Sequence, residues 1–217
     1  MYFRDQSTPS ILNTCRIRID NSLDSPEIME AVAKFNYDKA ALQYGKSLLE
    51  KATALYHQKI REDNEQVTAG DEYDEIFAQA HGHYVDLVEV ARIEFKNDPD
   101  TYRRLGLFGK RTRVFADWLP QVRHFYQEAQ DPQILKALGR WNIDKKRLEE
   151  GLALVDKTVA AHDTHIREQG EAQQITPERD AAIDVLYDWT DDYQTIAAIA
   201  LKDKPQLLEK IGILVKS

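Results

Sequence analysis

Residues Pro26 to Lys110 align with Pro132 to Lys216 without a gap, at a constant offset of 132 − 26 = 106. Of those 85 positions, 24 are identical. A gapless internal match of this length marks a tandem duplication, so the chain must build one local plan twice. The identities fall on structural punctuation: Pro26/Pro132, Asn36/Asn142, Asp38/Asp144, Gly45/Gly151, Pro99/Pro205 and Gly106/Gly212.

The clearest pair is KFNYDKAALQYG from Lys34 and RWNIDKKRLEEG from Arg140. Asp38 and Asp144 stand where a helix N-cap belongs. Tyr37 with Leu42, and Ile143 with Leu148, occupy the N′ and N4 positions of a hydrophobic staple. Gly45 and Gly151 fall on the apolar stripe two turns later. A mid-helix Gly costs about 1 kcal/mol relative to Ala, so its presence in both copies points to close approach of another element.

Each copy then parses alike. A short helix is expected near 27–34 and 133–140, and a long one near 38–66 and 144–173. The sequence reads a break next. In the first copy Gly70 ends one helix and Asp71 caps the following one. In the second, Thr176 caps and Pro177 takes the first helical position. A second long helix runs near 72–97 and 177–203, and a Pro-started short helix stops at Gly106 or Gly212. Short breaks between long amphipathic helices imply antiparallel hairpins. The expected fold is therefore all-α: a pseudo-twofold bundle of four long antiparallel helices. It is built in one domain, 1–217, from tandem helical-hairpin repeats 12–110 and 118–216, with shorter flanking helices. The competing topology is a two-repeat solenoid. Between the copies, Phe115, Trp118, Val122, Phe125 and Ala129 form a helical stripe, expected to start at Asp117 so that Pro120 lies in the first turn. Its counterpart near the N-terminus carries Leu12, Ile19 and Leu23.

Composition limits the function. With 42% hydrophobic residues the 217-residue chain can fill a core. A net charge of −8 opposes nucleic acid and anionic membranes. Cys15 is the single cysteine, which excludes an intrachain disulfide and a multi-thiolate metal site. No apolar run reaches the roughly 18 residues of a membrane span. The opening residues lack a signal peptide's apolar core, so a cytoplasmic setting is expected.

Five histidines deserve weighing: His57, His81, His83, His162 and His165. If each copy folds back near residue 69, all five come to a similar height in the bundle. The spacing favours hydrogen-bonded core or boundary residues. The alternative is a divalent transition metal site using His162, His165, His57 and His83; no Glu-x-x-His supports it. The basic stretch RRLGLFGKRTR, residues 103–113, reads as a helix junction whose cations complement helix C-termini, not as a nucleic-acid site. The repeated Ile-Arg-Glu at 60–62 and 166–168, with Glu65/Glu171, Glu72/Glu178 and Asp74/Asp180, reads as an ion-pair network around Arg61 and Arg167 near a hairpin tip, not as paired acid–base groups. Arg16 and Arg18 flank Cys15, but no histidine neighbours it in sequence. No nucleophile elbow, phosphate loop or dinucleotide fingerprint occurs. The sequence points away from an enzyme. It suggests a helical-bundle protein without a cofactor that works by protein–protein contact or self-association, with a protein partner or homo-oligomer and no membrane. The rival is a metal- or small-ligand-binding bundle built on the histidines.

Overall fold

A computed structural model describes residues 6–214. Among the described residues all regular structure is helical. In chain order the elements are α1 (Thr8–Leu23), α2 (Pro26–Ala33), α3 (Lys39–Glu94), α4 (Pro99–Arg104), α5 (Phe115–Glu128) and α6 (Pro132–Leu138). A 3₁₀ turn (Gly139–Trp141), α7 (Lys145–Ala200) and α8 (Pro205–Lys210) follow. No helix among the described residues is long and apolar enough to cross a membrane.

The hairpin expectation fails. In place of four long helices there are two, α3 and α7, each of 56 residues. Both run unbroken through the segments read as turns, and Pro177 lies inside α7. The reason is burial. Ala69, Ala172 and Ile175, all in or beside those segments, are buried. Continuing the helix keeps them in phase with the apolar stripe on either side. One internal Gly costs about 1 kcal/mol and one internal Pro about 3 kcal/mol. A single fully buried Ile contributes about 1.5–3 kcal/mol, before the backbone hydrogen bonds that a turn would forfeit. At the Pro itself, the neighbouring Thr176 hydroxyl donates to the Ala172 carbonyl at 3.2 Å.

The smaller punctuation behaves as read. Asp38 Oδ1 accepts from the Ala41 amide at 2.9 Å, and Asp144 Oδ1 from the Arg147 amide at 2.8 Å. Four helix ends close in the same way, with a left-handed residue following the helix. Asn36 and Asn142 have φ of 66° and 57°, Gly106 and Gly212 of 63° and 73°. At each, the next amide reaches back five residues, as in Tyr37 to the Val32 carbonyl (3.3 Å) and Leu107 to the Tyr102 carbonyl (3.1 Å). The helix between the copies begins at Phe115, not Asp117, so Pro120 falls past its first turn.

The chain groups into two compact units. The first takes in residues up to Asn64 and from Gly170 onward; the second spans Glu65 to Gln169. In the first, α1 packs across α3 and α7 through Cys15, Ile19, Ala52 and Leu186, and a second cluster joins Ile28, Leu42, Tyr193 and Ile211. Ser22 donates to the Arg18 carbonyl at 2.6 Å, so its oxygen accepts from the Tyr193 hydroxyl at 2.5 Å. In the second unit a single core runs from Phe77 and Tyr84 through Trp118, Phe125 and Tyr126 to Leu148 and Val155. Within both units α3 and α7 pack together: Trp189 lies over Gly45 in the first, and His165 against Gly70 in the second.

Candidate functional site

Three of the four histidines considered as metal ligands belong to the second unit: His83, His162 and His165. Tyr73 on α3 joins two of them. Its ring lies parallel to His165 (centroids 5.9 Å, 7°) and edge-on to His162 at 5.5 Å. Phe115, the first residue of α5, stacks against His162 at 3.8 Å and meets Tyr73 edge-on at 6.2 Å. The Nδ1 atoms of His162 and His165 are buried without a hydrogen-bond partner. The Asp163 carboxylate stands 3.5 Å from His162 Nδ1, too far for a good hydrogen bond. The layer continues through Phe77, which meets Trp118 at 4.9 Å and His81 at 5.8 Å. Burial, and then the Arg113 cation, lowers the His81 pKa.

His83 has a different role. Its Nδ1 shares a 2.7 Å hydrogen bond with the Tyr126 hydroxyl. Burial lowers its pKa, Arg147 lowers it further, and Glu150 and Asp86 oppose them. The Tyr126 ring fills the space over Gly151, where a Cβ would fall inside it. His57 lies in the first unit beside Tyr56 and lines a groove of about 260 Å³ with Leu12 and Arg16. The turn that was to fold His57 back alongside His83 does not exist, because both lie on the unbroken α3.

The basic stretch 103–113 is largely committed internally. Arg111 donates to the Tyr84 hydroxyl at 2.8 Å and to the Gly106 and Phe108 carbonyls. Arg92 Nε donates to the Leu107 carbonyl at 2.9 Å. Arg104 pairs with Glu128 and Asp131. These cations pin the connection after α4 to the core. In the second Ile-Arg-Glu, Arg167 donates to Glu168 at 2.8 Å.

Sequence reading missed two grooves between α3 and α7. In the first unit one of about 400 Å³ is lined by Leu48, Lys51, Leu55, Glu178, Ala182 and Val185, among others. In the second, one of about 500 Å³ includes Leu154, Lys157, Ala161, Glu72, Ile76 and Gln79. Each residue of the second set lies 106 positions from its counterpart in the first. The signal was present as a second stripe beside the core stripe, stepping by three and four along 69, 72, 76 and 79. It was hidden because it mixes Leu and Ile with Lys and Glu.

Compared with protein-family models, curated proteins and solved structures, the chain matches none.

Proposed function

We propose that this is a non-enzymatic helical-bundle protein that acts by binding protein surfaces, its own or a partner's. The observation that carries this reading is a repeated pattern of exposure. Phe35 and Trp141 are 40% and 43% exposed, Ile60 and Ile166 42% and 51%, Ile93 and Ile199 54% and 51%. The members of each pair stand 106 residues apart. Single exposed hydrophobics are ordinary. The same three positions left open in both copies are what a contact surface retained through duplication would look like. Photo-crosslinking residues placed at Ile93 and Ile199 test it in cells of the source. Protein adducts are expected at both sites, above the level at the exposed polar control Asp156. Adducts no more frequent than at the control would overturn the reading.

The reading includes an origin. The copies descend from one unit and have exchanged halves, giving a pseudo-twofold arrangement. Support comes from the second unit, which combines the latter half of the first copy with the first half of the second. Matching caps and left-handed ends in the two copies support it as well.

A second reading, binding of a divalent transition metal, rests on the unpaired Nδ1 atoms of His162 and His165 in one aromatic layer. Metal analysis of untagged protein tests it. Less than about 0.2 equivalents, with no rise in melting temperature on adding Zn or Ni, ends it.

A further inference from the structure

We propose that a second copy of this chain docks on the α3/α7 grooves, the α3 wall of one copy packing on the α7 wall of the other. The inference deepens the binding reading by naming the partner and rests on it.

Each groove, taken by itself, is complementary to its own image in charge. In the first unit the α3 wall carries Leu48, Leu55 and Lys51, and the α7 wall carries Ala181, Ala182, Val185 and Glu178. In the second unit the α3 wall carries Ala69, Ile76 and Glu72, and the α7 wall carries Leu154, Ala160, Ala161 and Lys157. Every wall sets an aliphatic residue of some bulk on a surface that another helix can pack against, and the charges decide which wall meets which.

The charges set the pairing of α3 on α7. Lys51 sits on α3 and Lys157 on α7, so the sign of each wall is reversed between the units. Yet in both grooves the lysine stands across from a glutamate. Packing α3 on α7 therefore brings Lys51 to Glu178 and Glu72 to Lys157 of the other copy. No like charges are opposed, although the chain as a whole carries a net charge of −8. An isologous contact needs a surface of this kind, complementary to itself. An unrelated acidic or basic partner would be repelled by half of the charges in each groove.

All four charged positions are exposed, so reversing them leaves the core untouched. The test is sedimentation equilibrium of the full chain and of two variants, K51E/K157E and E72K/E178K. Circular dichroism and melting confirm that each variant is folded. Wild type is expected at twice the 25.1 kDa chain mass or a higher multiple, since each chain carries two grooves. Each variant alone, now carrying like charges across both grooves, should associate at least about tenfold more weakly. Mixing the two restores opposite charges and should restore the association. A wild type that stays at 25.1 kDa at about 100 µM, well above the Kd expected of a standard-size interface, overturns the proposal. So do variants that associate as wild type does, or a mixture that fails to associate. If wild type is monomeric while Ile93 and Ile199 still crosslink to another protein, self-docking falls and the broader binding reading stands. Failure of both experiments removes both.

Discussion

The space over Gly45 and the space over Gly151 are filled in opposite ways. In the first unit the Trp189 indole from α7 covers the glycine, stacked on Tyr193 at 5.5 Å and edge-on to Tyr37 at 5.7 Å. The α1 side chain nearby, Asp20, is small and pairs with Lys46 at 3.2 Å. In the second unit Tyr126 from α5 does the covering, tied to His83. His83 is 106 residues from Trp189, and Asp20 is 106 residues from Tyr126. The bulk stands in different layers while the room over the glycine is the same. The two corners share a shape, not the residues that fill it. One is closed by an indole, the other by a phenol hydrogen-bonded to an imidazole.

Removing the filler should have the largest effect. Trp189→Ala is expected to cost about 3 kcal/mol, and Tyr126→Ala a similar amount with His83 left unpaired. In a chain of this size that lowers Tm by roughly 6–12 °C. Adding bulk beneath the filler comes next. Gly45→Ala and Gly151→Ala each place a methyl inside a ring and should cost about 1–3 kcal/mol. The sharper form is a double mutant. With Trp189 already cut to Ala, Gly45→Ala should reverse sign and stabilise by about 1 kcal/mol, because Ala is the better helix former. Independent, additive effects in thermal melts would show that the two residues do not share the space.

The third effect separates the corners by pH. His83 has a lowered pKa in the fold, and the unfolded imidazole titrates near 6.5. The unfolded chain therefore takes up the proton first as acid is added. His83's contribution is complete above about pH 6.5 and is lost as the pH falls through and below that value. His81, lowered by burial and Arg113, acts in the same direction. His83→Gln, which can still hydrogen-bond Tyr126, should flatten the loss of Tm between pH 7 and 5; an unchanged slope assigns the dependence elsewhere. The smallest effect belongs to Asp20→Ala. The half-exposed pair with Lys46 is expected to contribute under about 1 kcal/mol, falling further in high salt.

Local chemistry was legible in the sequence, and distant partnership was not. Asp38 and Asp144 as caps, Gly106 and Gly212 as left-handed ends, and Gly45 and Gly151 as points of close approach all follow from residue type and position. Each is decided within one or two turns of chain. That Trp189 rather than an α1 residue lies on Gly45 depends on a contact 144 positions away (189 − 45), which no local pattern encodes. The breaks at Gly70 and Pro177 failed for the opposite reason. Their local signals were real but worth only about 1 and 3 kcal/mol, and in-phase burial of Ala69, Ala172 and Ile175 outweighed them. The histidine level rested on that turn. His162 and His165 still come together through Tyr73, because their i, i+3 spacing needs no turn.

Unbroken long helices carry the rest of this architecture, since the α3/α7 grooves depend on both running past their glycine and proline. Backbone NMR of the full chain reads this directly at residues 66–71 and 173–177. Helical Cα shifts at both segments, with amide exchange as slow at 66–71 as in the adjoining turns, are the predicted result. Turn-like shifts at Gly70 and Pro177, with fast exchange at the intervening amides, would contradict it and restore the paired hairpins.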